Sequence, residues 1–174
     1  MARKVIILDT SILCVWLRIP NMDSIEKSGE KPITYDDVSK SIEKETADSS
    51  RIVLPLASII ECGNHITQIN RKDSQKYVNE FAGFIEKALD GSEPWDIFTN
   101  QSELLSTEGL RNLVNEWKSL SCCGLSMGDV SIKQVADYYF SKGYTAEIFT
   151  GDTGLKAYQP APHPQILSRN RNRR

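Results

Sequence analysis

Four acidic residues stand at places where an α/β chain can do chemistry. Asp9 follows the apolar run Val5-Ile6-Ile7-Leu8. Glu61 sits inside Ala57-Ser58-Ile59-Ile60-Glu61-Cys62-Gly63. Asp129 opens a late helix in Leu125-Ser126-Met127-Gly128-Asp129-Val130, and Asp152 lies in Thr150-Gly151-Asp152-Thr153-Gly154. Brought together, four carboxylates repel: at ~4 Å and an effective dielectric of about 20, each like-charged pair costs about 4 kcal/mol. Either some of them are protonated or a cation sits among them. Oxygen-only ligands favour a hard divalent ion, Mg²⁺ or Mn²⁺. Such an ion activates water and clamps phosphoryl oxygens in an in-line displacement. Each acid also has a plainer reading. Asp9 could cap the helix after it, and Ser126 and Asp129 have the spacing of a capping box. Asp152 before Thr153-Gly154 suits a turn or a cap. Glu61 is harder to explain that way, because its apolar neighbours predict a mostly buried helix, and a buried Glu needs a partner.

The elements that must position these residues can be read from the hydrophobic pattern. Val5–Leu8 is continuous and rich in β-branched residues, which predicts a central strand buried on both faces. Further strands are expected at 52–54, 95–99 and 147–150, with a short edge strand at 166–167. Helices are expected at 12–17, at 34–47 as an exposed helix capped by Thr34, and at 55–69. Others are expected from Asp73-Ser74 to about Leu89, at 102–120 with Gly109 weakening the middle, at 127–141 and at 154–158. Strands alternating with helices predict an α/β fold around a mostly parallel sheet of four to five strands. Sites in such sheets form beyond the carboxyl ends of the strands, and Asp9 and Asp152 are placed there.

Length and composition set the outer bounds. The chain has 174 residues, 40% hydrophobic, with Lys+Arg 21 against Asp+Glu 23 and net charge −2. The length suits one domain, residues 1–168, with a polar insertion at about 21–50. Residues 169–174, Arg169-Asn170-Arg171-Asn172-Arg173-Arg174, are read as a disordered basic tail that could hold RNA by phosphate contacts. Without that tail the body is distinctly acidic. The total charge is uninformative about a nucleic-acid partner, because a bound cation would be missing from the count. Cys14, Cys62, Cys122 and Cys123 form no C-x-x-C pair, and the chain is read as a cytoplasmic protein with reduced thiols. No apolar run reaches the roughly 18 residues of a membrane span.

The chain resembles the PIN-domain ribonucleases, which include the toxins of bacterial toxin–antitoxin pairs. The resemblance rests on Ile7-Leu8-Asp9-Thr10-Ser11, Glu61, Asp129 and Phe149-Thr150-Gly151-Asp152, in that order along most of the chain. It implies a Rossmann-like three-layer sandwich and Mg²⁺- or Mn²⁺-dependent cleavage of RNA that leaves 5′-phosphate and 3′-hydroxyl ends. Asp9, Glu61, Asp129 and Asp152 match the family's acidic cluster as catalytic and metal-binding residues. Ser11 and Thr150 match its hydroxyl positions, where they orient a carboxylate or a water. An antitoxin partner and a homodimer are implied as well. The segments 21–50 and 74–119 are longer than in the compact toxins of the family, so either could be a lid or a partner surface.

Other residues carry weaker signals. Lys133, one turn after Asp129, could contact the scissile phosphate, as could Arg169 and Arg171. His65 is one turn after Glu61, where a core or supporting role competes with a contact to the site. The aromatic residues Trp16, Trp95, Trp117 and Tyr138-Tyr139-Phe140 suit a core or an interface. Two other functional classes compete with the nuclease. One is a non-catalytic PIN-like module that binds RNA or protein. The other is a phosphotransfer domain with its Asp after strand one. The phosphatase form of that domain wants a second Asp where this chain has Ser11, and the receiver form wants paired acids that are absent.

Overall fold

A computed structural model describes residues 3–161 of the chain, apart from residues 28 and 30. The order of elements is β1 (Lys4–Leu8), α1 (Thr10–Trp16), β2 (Ser24–Ile25), β3 (Ile33–Thr34), α2 (Tyr35–Ala47), β4 (Arg51–Leu54), α3 (Leu56–Thr67), α4 (Arg71–Leu89), β5 (Trp95–Ile97), α5 (Gln101–Leu104), α6 (Thr107–Leu120), α7 (Met127–Ser141), β6 (Thr145–Phe149) and α8 (Thr153–Lys156). A 3₁₀ turn at Ser121–Cys123 joins α6 to α7.

Strands β5, β4, β1 and β6 form one sheet in that order, and every neighbouring pair is parallel. The alternation of side chains explains the layers. Ile6, Leu8, Ile52 and Leu54 point into a core built with α1, α2, α3 and α4. Val5, Ile7, Val53, Ala146 and Ile148 point the other way, onto α7 and the residues around it. The fold is therefore α/β, a Rossmann-like three-layer sandwich around a four-stranded parallel sheet. β1 is its buried centre, as its unbroken apolar run predicts. A side chain such as Ile7, fully buried, contributes about 1.5–3 kcal/mol. The chain order reverses at β1: β4 and β5 are added on one side and β6 on the other. That reversal opens a crevice between the carboxyl ends of β1 and β6, where ligands bind in sheets of this kind.

Several elements differ from the sequence expectation. The helix expected at 102–120 is two helices. Ser106 accepts a hydrogen bond from the Gly109 N–H at 2.9 Å and caps α6. A Cβ at Gly109 would lie 2.3 Å from the Leu104 carbonyl oxygen, so this glycine lets the two helices meet. The helix expected as exposed, α2, buries Val38 and Ile42 in the core. The segment 21–50 also contains the antiparallel hairpin β2–β3, which no sequence pattern announced. Helix α4 begins at Arg71, before the expected cap at Asp73-Ser74. Strand β5 ends at Ile97 rather than Thr99. The edge strand expected at 166–167 lies outside the described residues.

Trp16 stacks on Tyr35 at 5.5 Å and contacts Trp95 at 5.6 Å. The Arg18 guanidinium lies 3.7 Å above the Tyr35 ring, an attractive cation–π contact. This cluster anchors the loop that carries Met22 back towards the crevice. All four cysteines are free. Cys14 and Cys62 are buried, and Cys122 and Cys123 are exposed.

Candidate active site at the carboxyl edge of the sheet

The residue after β1 is the best-buried acid of the crevice. Asp9 is 6% exposed, and its backbone N–H donates to the Phe149 carbonyl, which ties the ends of β1 and β6 together. It occupies the N-cap position of α1, yet its side chain makes no cap hydrogen bond. Instead its Oδ2 accepts from Ser11 Oγ at 2.6 Å and from Thr150 Oγ1 at 2.7 Å. Thr150 Oγ1 in turn accepts from the Asp152 N–H at 2.9 Å. A chain of donors thus runs from the β6 loop into the Asp9 carboxylate. Burial pushes the Asp9 carboxyl above the ordinary carboxylate range. The bonds from Ser11, Thr150 and the Thr10 backbone oppose that rise, and the charge of Asp129 adds to it.

Glu61 arrives from α3. Its Oε2 accepts from Thr10 Oγ1 at 2.7 Å, the partner that a half-buried glutamate requires. Ser58 Oγ, one turn earlier on α3, donates to the Leu8 carbonyl at 2.8 Å. These two bonds pin α3 against the corner between β1 and α1. On its other side Glu61 meets the start of α7, where a Cβ at Gly128 would lie 3.1 Å from Glu61 Oε1. Glycine at that position lets α7 bring Asp129 close to Glu61.

Asp129 and Asp152 do perform the capping roles that their spacing suggested, but with one oxygen each. Asp129 Oδ2 accepts from the Ser126 N–H at 2.7 Å, and Ser126 Oγ accepts from the Asp129 N–H at 3.1 Å, a complete capping box. Asp152 Oδ1 accepts from the N–H groups of Gly154 and Leu155 and starts α8. The second oxygens of Glu61, Asp129 and Asp152 carry no hydrogen bond among the described residues.

Asp9, Glu61, Asp129 and Asp152 line one pocket of about 350 Å³ together with Thr10, Ser11, Met22, Ile25, His65 and Gly151. The hairpin supplies its apolar lip: a Cβ at Gly151 would lie 2.8 Å from Ile25 Cδ1 and Cγ2. No Lys or Arg is among these lining residues. As packed, no group of three or more His, Cys, Asp or Glu side chains among the described residues could hold a metal ion. The acids share a pocket without yet sharing an ion-sized centre. Their chemistry nonetheless fits a hard divalent cation: the donors are all oxygen, negative, and mostly half-committed.

One expectation falls elsewhere. Lys133 is not on the pocket wall. Its ammonium binds Glu116 Oε1 and Asp137 Oδ2, each at 2.6 Å, between α6 and α7. Arg169 and Arg171 lie outside the described residues. Residues with roles here that the sequence did not single out include Ser58, Met22, Ile25, Thr10, Gly128 and Gly151. The hydroxyl directly after Asp9 was a visible signal for Thr10. The glycines act through neighbours far along the chain and left none. The chain matches no protein-family model and no curated protein.

Proposed function

We propose that the chain is a metal-dependent endoribonuclease of the PIN-domain type, hydrolysing RNA phosphodiester bonds at the Asp9 pocket. One observation carries the reading. Four carboxylates from four separate elements line a single crevice at the point where the strand order reverses, with no Lys or Arg on its wall. Such a cluster favours a divalent cation over an empty pocket.

In this reading Asp9, Glu61, Asp129 and Asp152 would hold Mg²⁺ or Mn²⁺, and the ion would supply Lewis-acid polarisation and a more acidic water. Ser11 and Thr150 fix the rotamer of Asp9 through Oδ2. Thr10 fixes Glu61 through Oε2, and Glu61 Oε1 would accept a proton of the attacking water. Attack at phosphorus with loss of the 3′-oxygen gives 5′-phosphate and 3′-hydroxyl ends. RNA as substrate, an antitoxin as protein partner, homodimerisation and a cytoplasmic setting belong to the same proposal. Among the described residues, no helix is long and apolar enough to cross a membrane.

The test is cleavage of single-stranded RNA by wild type and Asp9→Asn in Mn²⁺, with both proteins purified free of other nucleases. Loss of cleavage in a folded Asp9→Asn is the expected result, and equal cleavage overturns the reading. A non-catalytic binding module is the second reading, favoured by the complete capping roles of Asp129 and Asp152. Calorimetric titration with Mn²⁺ separates the two: no binding at millimolar metal favours the module.

A further inference from the structure

The pocket poses a problem for any anionic substrate, and counting its hydrogen-bond donors exposes one solution. The four carboxylates only accept when ionised, and Met22 and Ile25 offer nothing. The Thr10 hydroxyl is spent on Glu61 and the Ser11 hydroxyl on Asp9. Among the lining side chains only His65 remains. Its imidazole has no hydrogen-bond or ion-pair partner among the described residues. Its backbone carbonyl is engaged by Gln68, which holds the end of α3. His65 is half-buried and stands one turn after Glu61, so both reach the same pocket from one helix face.

We propose that His65 is the substrate-binding donor of this pocket, giving an imidazole N–H to a non-bridging oxygen of the RNA phosphodiester. The proposal rests on the nuclease reading and adds the residue that receives the phosphate. Met22 and Ile25 line the same pocket, so the ribose or base of that nucleotide packs on an apolar surface while its phosphate faces His65 and the acids. Substrate and metal are then held by different side chains. A donor lost from a charged partner weakens binding by about 10- to 100-fold.

The experiment compares wild type, His65→Phe, which keeps a ring without a donor, and His65→Gln, which keeps a donor. The expected result is a KM for single-stranded RNA raised about tenfold or more in His65→Phe, with kcat changed less and Mn²⁺ affinity by calorimetry unchanged. His65→Gln recovers much of the loss. An unaltered KM in His65→Phe overturns the proposal, and so does a fall in Mn²⁺ affinity, which would make His65 part of the metal site. Equal losses in both variants overturn it too, because they assign His65 a packing role. If the wild type cleaves no RNA, the nuclease reading fails by itself. His65 is then judged by fluorescence anisotropy of a labelled oligonucleotide, where equal binding by wild type and His65→Phe overturns the proposal.

Discussion

The two ends of the same sheet handle charge in opposite ways. At the amino end and along the β6 edge, charges come in neutralising sets. Lys4, at the start of β1, bonds Glu45 at 2.7 Å and Glu147 at 3.0 Å, and Lys156 reaches Glu147 at 3.0 Å. Arg51, at the start of β4, bonds Asp96 at 2.8 Å. At the carboxyl end, four acids line a pocket with no Lys or Arg. The outcome for individual groups follows. Burial would raise the Glu147 carboxyl, but the bonds from Lys156 and Lys4 outweigh it and hold it low. For Asp9 burial wins, and the carboxyl is held high. The first end is arranged for stability. The second leaves a buried carboxylate without a cationic partner among the described residues.

The largest break in that comparison is Asp9→Asn. The amide oxygen can still accept from Ser11 and Thr150, while the buried charge disappears. Without metal, Asp9→Asn is expected to melt a few degrees above wild type. In millimolar Mn²⁺ the order reverses, because wild type gains RT ln(1 + [L]/Kd) and the variant does not. In Mn²⁺, RNA cleavage is expected to be lost in the variant. A variant that melts below wild type without metal would show that Asp9 carries no stored electrostatic cost.

Gly128→Ala sharpens the same contrast at the level of geometry. Alanine is the better helix former by up to about 1 kcal/mol, so stability is expected to hold or rise. The new Cβ, however, would sit 3.1 Å from Glu61 Oε1, and the carboxylate must give way by a few tenths of an ångström. Displacing a supporting contact of this kind typically costs about 10–100-fold in metal affinity or activity. Cleavage and Mn²⁺ affinity should therefore fall while the melting temperature does not. Parallel loss of stability and activity would mean that Gly128 serves packing alone.

These two residues also mark how far the sequence could be read. The central strand and Asp9 were legible because an unbroken Val-Ile-Ile-Leu run ended by an acid has few other meanings in an α/β chain. Ser11 and Thr150 were marked by the resemblance as hydroxyl positions, and both donate to that acid. Gly128 was not, because its reason is Glu61, 67 positions earlier. The β2–β3 hairpin has two-residue strands, too short to show any period, and its Ile25 matters only where it meets Gly151. The break between α5 and α6 hides in an ordinary Leu105-Ser106 step, inside a run that reads as one helix.

Lys133 tests whether a cation near the acidic pocket is structural. Its side chain is 15% exposed. Burial alone would lower its pKa, but the bonds from Asp137 and Glu116 outweigh it and the ammonium is held charged. Lys133→Met keeps most of the stem and removes the ammonium from Asp137 and Glu116, of which Glu116 still accepts from Gln134. Those carboxylates are partly solvated, so the cost should be about 1–2 kcal/mol, below the 3–5 kcal/mol of a fully buried pair. Denaturant unfolding measures it as a lower midpoint at unchanged slope. A raised KM with unaltered stability would instead return Lys133 to the substrate.

The smallest effect belongs to the β6 edge, and its sign follows from the direction of one shift. Glu147 is held below its ordinary value of 4.5, so folding favours its charged form. Its contribution is fully present above about pH 4.5 and is lost as pH falls through the lower folded value. The group is 39% exposed, so solvent screening keeps the worth of its pairs under about 1 kcal/mol. Glu147→Gln should therefore lower the melting temperature slightly at pH 7, and wild type and variant should converge towards pH 3. Added salt should narrow the gap at pH 7, because a half-exposed pair is screened. If the gap instead grew on acidification, Glu147 would be stabilised as the neutral acid, and the two ends of the sheet would differ only in how many acids they carry.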